Sequence, residues 1–171
     1  ASCRASNLIT MHTSTTVISH EETKHFVTAI TQDGREIKGS ALIAADGIWS
    51  KFRSQIVGDG DPIISGHVAY RAVLPVNDLP EFVKNDDVVL WAGPKFHLVH
   101  YKLRGGKLFN IVAVFHSDRY EEGWDAYGDP GELRTRFIGA REEVQTLLDN
   151  INSWKMWVLC DREPVKVWSK G

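Results

Sequence analysis

The sequence predicts a mixed α/β (α+β) fold in two parts: a piece of an α/β layer over residues 1–60, and a mainly antiparallel sheet lobe with helices over residues 61–171. Three observations carry this. Residues 41–45, Ala-Leu-Ile-Ala-Ala, form an apolar run without alternation that stops at Asp46-Gly47, the pattern of a strand buried on both faces of a parallel sheet. Between residues 66 and 116 the apolar residues alternate in short segments divided by Gly, Pro and Asp, as in an antiparallel sheet. Beyond residue 129 they recur at helical spacing instead.

Each element follows in order. Leu8 to Met11 is a short apolar segment. Thr15 to His20 and His25 to Thr31 are rich in β-branched residues, and Glu21-Glu22-Thr23-Lys24 separates them, so they predict an antiparallel hairpin. Asp33-Gly34 is a turn signal, and Glu36 to Lys38 opens the next strand. Ala41 to Ala45 is the buried strand. Trp49 to Val57 predicts a short helix with Trp49, Phe52 and Ile56 on its apolar seam. Gly58-Asp59-Gly60-Asp61-Pro62 breaks the chain between the two parts. Strands are then expected at Gly66 to Val76, Asp87 to Trp91, Phe96 to Arg104 and Lys107 to His116. Asp129 suits an N-cap and Pro130 a first turn, with Leu133, Phe137 and Ile138 facing inward. A second helix follows Gly139, with Val144, Leu147, Leu148 and Ile151 on one side. Trp154 to Leu159 and Val165 to Trp168 are the last strands, broken at Pro164.

Composition excludes several classes of function. Hydrophobic residues make up 43% and charged residues 25%, as in an ordinary globular domain. A net charge of −2 gives no electrostatic footprint for nucleic acid or an anionic membrane. Cys3 and Cys160 are the only cysteines, which excludes a disulfide scaffold or a zinc module and fits a reducing compartment, the cytoplasm. Apolar runs such as Ile111 to Phe115 are too short to span a bilayer, and the start lacks the basic-then-apolar order of a signal peptide. The histidines do not fall at metal-ligand spacings, and no G-x-S-x-G elbow exists. Trp91, Trp124, Trp154, Trp157 and Trp168 are scattered, as core residues are, with no basic groove beside them.

Two constellations carry chemistry. In the first, Asp46-Gly47 ends the apolar run, Ser50 follows three residues later and Arg53 three after that. A carboxylate and a Gly at the carboxyl end of such a strand sit where open α/β sheets of the Rossmann-like kind bind cofactors, and Arg53 is placed to brace the loop through an ion pair. In the second, side chains alternate along a strand, so His97, Val99, Tyr101 and Leu103 share one face and His100 points to the other. A Gly105-Gly106 turn, with Arg104 facing Lys107, sets a register that pairs Tyr101 with Asn110, Val99 with Val112, and His97 with Val114. One face then carries His97, Tyr101 and Asn110 among Val and Leu side chains, the make-up of a small-molecule pocket. From spacing alone, an ordinary half-buried strand is an equal alternative.

The stretch Ala45-Asp46-Gly47-Ile48-Trp49-Ser50-Lys51-Phe52-Arg53 resembles the A-D-G-x-x-S-x-x-R fingerprint of single-component FAD-dependent aromatic hydroxylases, with Ala44 where Gly is common and Phe52 where a small aliphatic residue is common. Leu90 to Tyr101, with its H-x-x-x-Y spacing, resembles a strand of the 3-hydroxybenzoate 6-hydroxylase and salicylate hydroxylase group. Asp161-Arg162-Glu163-Pro164, ending at Trp168, resembles that family's D-R-E-P-x-x-x-W, and Tyr70-Arg71-Ala72 its Y-R-G. The resemblance covers essentially the whole chain and corresponds to the middle segment of a protein more than twice as long. It implies FAD as cofactor, NADH or NADPH as co-substrate, O2, and a small phenolic aromatic acid hydroxylated through a C4a-hydroperoxyflavin. It implies His97 and Tyr101 as catalytic and substrate-binding residues at the ring hydroxyl. Asp46 and Gly47 would lie near the flavin, Val17 on a strand passing the adenine, and Arg71 beside the cofactor or pocket. Asp161, Arg162 and Glu163 are expected to form an ion-pair cluster. Two family motifs are missing: no G-x-G-x-x-G occurs, and Gly128-Asp129 is followed by Pro-Gly-Glu rather than an Ala-Ala-His-like run. We therefore expect a segment of a longer protein that is inactive alone, with an exposed seam that favours homo-oligomers. The rival readings are a non-catalytic module that binds an aromatic ligand, and a structural domain.

Overall fold

A computed structural model describes residues 2–119 and 126–171. Trp124 lies outside the described residues. The chain forms two compact units: residues 1–61 with 162–171, and residues 62–161.

The first unit opens with a single helical turn, α1 (Ser2–Ala5), and then builds an antiparallel sheet in the order β1 (Val17–Glu22), β2 (Val27–Thr31), β3 (Glu36–Gly39). The expected hairpin forms. The N–H of Thr23 donates to Phe26 O at 2.9 Å across its loop. Asp33-Gly34 makes the second turn: Gly34 takes φ +81°, and its N–H donates to Thr31 O at 2.9 Å. Residues 41–45 depart from expectation. They form no strand and are exposed, with Ile43 88% accessible. A parallel strand exists only through its neighbours, and this unit pairs no strand with that run. The helix expected over residues 49–57 shortens to α2 (Arg53–Ile56); Phe52 alone of the seam is buried, its ring 5.3 Å from that of His20.

The second unit is a five-stranded antiparallel sheet in the order β5 (Val89–Gly93), β6 (Phe96–Leu103), β7 (Leu108–His116), β4 (Ile63–Pro75), β8 (Lys155–Asp161). Single 3-10 turns at Val76–Asp78 and Glu81–Val83 link β4 to β5. Helices α3 (Pro130–Arg136) and α4 (Glu142–Asp149) contribute to the core on one face of this sheet. Asp129 caps α3, its carboxylate accepting from the Gly131 N–H at 2.8 Å. Leu133, Phe137, Val144, Leu147, Leu148 and Ile151 are buried with Val68, Tyr70, Leu98, Phe109, Ile111 and Phe115 in one apolar cluster. Ile138, expected to face inward, is 76% exposed: the helix ends at Arg136, and the turn before Gly139 rotates residue 138 out of the apolar stripe. Residues 165–168 form no strand, and Trp168 is exposed rather than in the core, with the Arg53 guanidinium 5.3 Å from its ring centre.

The β6–β7 ladder has the expected register: Tyr101 pairs with Asn110, Val99 with Val112, and His97 with Val114. It closes one pair earlier than a two-residue turn requires. Leu103 pairs with Leu108, the N–H of Gly106 donates to Leu103 O at 3.2 Å, and Arg104, Gly105 and Gly106 all take positive φ. A four-residue connection with three left-handed residues relieves the crowding that Arg104 opposite Lys107 would create.

Candidate functional site

Each unit holds one constellation. In the first, Gly47 turns the chain at φ +81°, and a Cβ placed on it would meet nothing within 4 Å. The backbone there is open to close approach by another molecule. Asp46 is exposed, and its Oδ2 accepts the Lys51 N–H at 3.1 Å. Desolvation pulls its carboxyl upward, but hydrogen bonding from Ser50 and from backbone N–H groups outweighs that and holds it below the ordinary carboxylate range. The next turn is fixed by Ser50, whose Oγ accepts the Arg53 N–H at 3.1 Å.

Arg53 is the expected brace. Its Nε donates to both Asp59 oxygens, at 3.0 and 2.8 Å, and its Nη2 to Oδ2 at 2.6 Å. Arg162 joins the same carboxylate at 3.4 Å and also donates to Ile48 O at 2.9 Å and to Gly60 O. Asp161 and Glu163 are exposed and stay out of this cluster. The hydrogen bond from Arg53 lowers the Asp59 carboxyl further than its desolvation raises it. Val17, at the start of β1, is half-buried and pairs with Thr31 next to a bulge.

In the second unit the sheet has one face in the core and one face open. The open face carries His67, Ala69, Arg71 and Val73 from β4, Asn110, Val112 and Val114 from β7, and His97, Val99 and Tyr101 from β6. His97 and Arg71 are exposed, Tyr101 is half-buried and Asn110 is fully buried. His97 and Tyr101 lie four residues apart on one strand, about 13 Å at the usual rise. They therefore flank a length of the face instead of meeting at one point. Tyr101 and Asn110 are direct cross-strand neighbours. Arg71 reaches Asn110 on the next strand, its Nε donating to Oδ1 at 2.6 Å. That bond fixes the amide orientation, and Asn110 Nδ2 is then a buried donor without a partner among the described residues.

This face was legible only in part. Alternation places His97, Tyr101 and Asn110 together, but the Arg71–Asn110 bond joins residues 39 apart in sequence and depends on the β4–β7 register, which local pattern does not set. The edge-on His67–His116 pair, ring centres 5.6 Å apart, depends on the same register.

The core face has polar groups of its own. Tyr70 O–H donates to Glu132 Oε2 at 2.8 Å and accepts the Asp129 N–H at 3.1 Å. Burial, partly countered by the Asp129 N–H, pushes its hydroxyl up to about 12. Tyr70 is thus a buried tie between β4 and the start of α3.

No protein-family model matches the chain. It is 38% identical over 169 residues, 99% of its length, to 3-hydroxybenzoate 6-hydroxylase 1 of Aquipseudomonas alcaligenes, and covers 43% of that protein. Among solved structures, it overlays 92% of its length on 43% of a salicylate hydroxylase substrate complex, with a TM-score of 0.75 and 26% identity. The chain resembles a segment of the FAD-dependent aromatic hydroxylases. CtdE in complex with FAD shares the fold of this hydroxylase-like segment, with a TM-score of 0.70 over 90% of this chain and 44% of that one, at 21% identity. The segment thus spans about two fifths of the length of the proteins it matches.

Proposed function

We propose that this chain is the part of a flavoprotein monooxygenase that lines the substrate, and that the whole protein hydroxylates a phenolic aromatic acid of the 3-hydroxybenzoate or salicylate kind with NADH or NADPH. In that reaction one atom of O2 enters a ring C–H bond as hydroxyl, the other leaves as water, and NAD(P)H supplies two electrons. The observation that carries the reading is the open sheet face, where His97, Tyr101, Arg71 and Asn110 stand among Val99, Val112 and Val114. Apolar walls with a few orienting polar groups are what a small aromatic ligand requires.

The residues of the first unit fit a flavin nucleotide. Gly47 leaves room for close approach to the backbone, and Asp46 beside it is an exposed, ionised acceptor. Asp46, Gly47 and the backbone of Val17 would hold the cofactor; Arg71, on the open face of the second unit, would line the pocket. The chemistry that FAD supplies when bound is activation of O2 with electrons from NAD(P)H.

The chain's own task is to position and ionise the substrate. His97 accepts the proton of the ring hydroxyl, because a phenolate is a far better nucleophile than a phenol, and Tyr101 orients the ring from the other end of the strand. General-base assistance of this kind is worth about 10²–10⁴-fold. A cytoplasmic location accompanies the reading: no helix among the described residues is long and apolar enough to cross a membrane, and Cys3 and Cys160 are free thiols.

His97→Ala in the full-length protein tests the assignment. Hydroxylation in single turnover is expected to slow about 10²-fold or more, while reduction of bound flavin by NAD(P)H keeps its rate. Equal losses in both half-reactions would remove His97 from the chemistry.

A further inference from the structure

The open face gathers positive charge. Arg71 stands directly opposite Lys155 of β8, whose ammonium lies 4.1 Å from the centre of the Tyr127 ring. His67, His97 and His116 share the face.

Arg71 is exposed and makes no ion pair among the described residues. Its one hydrogen bond there runs from Nε to Asn110 Oδ1 at 2.6 Å. The guanidinium is gripped at Nε, while both Nη groups, which can clamp a carboxylate with two parallel bonds, have no partner among the described residues. Asn110 is 0% exposed, and its Nδ2 lacks an acceptor among the described residues. A buried donor without a partner weakens a fold. An amide kept there, among valines, has a use other than packing.

We propose that Arg71 recognises the carboxylate of the aromatic substrate, and that Asn110 is the positioning residue that holds its guanidinium for that purpose. The proposal rests on the hydroxylase reading of this face and deepens it by assigning the acid end of the substrate. Arg71 and His97 lie two strands and two residues apart, about 12 Å between Cα atoms from the strand spacing and rise. The proposal sets a hydroxybenzoate along the face between them, its carboxylate toward Arg71 and its hydroxyl toward His97.

The test compares an acid with its uncharged twin. Binding of 3-hydroxybenzoate and of 3-hydroxybenzamide to the full-length protein is measured by titration calorimetry without NAD(P)H, alongside thermal unfolding. The unmodified protein is expected to prefer the acid. Arg71→Gln is expected to weaken acid binding about 10- to 100-fold while amide binding changes by less than about 3-fold. Asn110→Leu, which removes a buried unpaired donor, is expected to fold at least as stably, yet to weaken acid binding about 10-fold and to raise KM for the acid without lowering kcat. Arg71→Lys is expected to recover only part of the acid preference, because an ammonium keeps the charge and loses the fork.

Acid and amide affinities that fall together, or that both hold, in Arg71→Gln and Asn110→Leu would overturn the assignment. Should Arg71→Gln not fold, Asn110→Leu decides alone. Hydroxylation without any acid preference sinks the carboxylate site and leaves the hydroxylase reading standing. A protein that carries no flavin but still prefers the acid through Arg71 sinks the hydroxylase reading and leaves the site.

Discussion

His100 shows what a single side chain does when the pattern of a strand outweighs its chemistry. Alternation in β6 sends it to the core face, where it is 1% exposed, its ring 5.0 Å from Phe109 and 6.3 Å from Trp91. Neither ring nitrogen has a hydrogen-bond partner among the described residues. Desolvation disfavours the charged form and holds its pKa below the ordinary 6.5. The unfolded chain therefore binds a proton that the folded chain refuses. Above pH 6.5 both states are neutral and the residue adds no pH dependence. As pH falls below 6.5 the unfolded state gains the proton first, so stability drops until the lower folded pKa is reached. We predict that His100→Phe, which removes two unpaired buried nitrogens at nearly constant shape, stabilises the fold at pH 7 by about 1 kcal/mol or more. Its advantage should widen on going below pH 6.5. Urea unfolding of both proteins over that range is the measurement, and a gap that stays constant with pH would show that His100 does not titrate on unfolding. The same residue rule leaves His97, three positions earlier, exposed on the opposite face and available to a ligand.

At the scale of elements, the loop into α3 is fitted to Tyr70. A Cβ on Gly128 would overlap the Tyr70 ring, which cannot retreat, because Glu132 and the Asp129 N–H hold its hydroxyl and Phe115 packs edge-on against it at 4.9 Å. Gly128→Ala is thus expected to destabilise by about 1–3 kcal/mol, the usual cost of overpacking. Asp129→Ala, which removes only the N-cap of α3, should cost about 1 kcal/mol. Thermal denaturation ranks the two, and an Asp129 variant clearly weaker than the Gly128 variant would show that the loop yields. Sequence reading found the cap, since Asp-Pro before a helical stripe is a local signal, and found the β6–β7 register, since a hairpin ties strand to strand through its own turn. It misread residues 41–45. Composition alone makes that run a parallel strand, yet a strand is a relation between segments, and no parallel partner is described in its unit. It misread Ile138 for a similar reason: helical spacing does not continue to residue 138, because the helix ends at Arg136, two residues earlier.

At the scale of the whole molecule, the first unit is made of two distant stretches of chain, residues 1–61 and 162–171. The side chains that tie them were legible as residue types, Arg53 after the Asp-Gly corner and Arg162 in the D-R-E-P stretch, but their shared partner Asp59 was not, because nothing local marks one loop aspartate over another. The side chains of Asp59, Arg53 and Arg162 are 15%, 13% and 13% exposed, so this cluster is shielded where Asp46 is open to solvent. Two cations on one carboxylate leave an excess positive charge if that carboxylate is lost. Arg162 would still donate to Ile48 O and Gly60 O, and the corner would keep only the Asp46 and Ser50 side-chain bonds to the Lys51 and Arg53 N–H groups. The same logic fixes the pH response: the Asp59 pKa is lowered in the folded state, so its contribution is present above the unfolded value of 3.8 and fades as pH falls through the folded one. Asp59→Ala is accordingly predicted to loosen residues 47–51 and 162–168 together, in line with the rule that stability is local and is lost in contiguous pieces. Amide hydrogen exchange near pH 7 reads this out, with the β4–β7 ladder as the internal reference. Faster exchange in both stretches, with the ladder unchanged, is the expected result. Faster exchange in the 47–51 corner alone would mean that Arg162 holds its segment through the Ile48 and Gly60 carbonyls, and that Asp59 serves only Arg53.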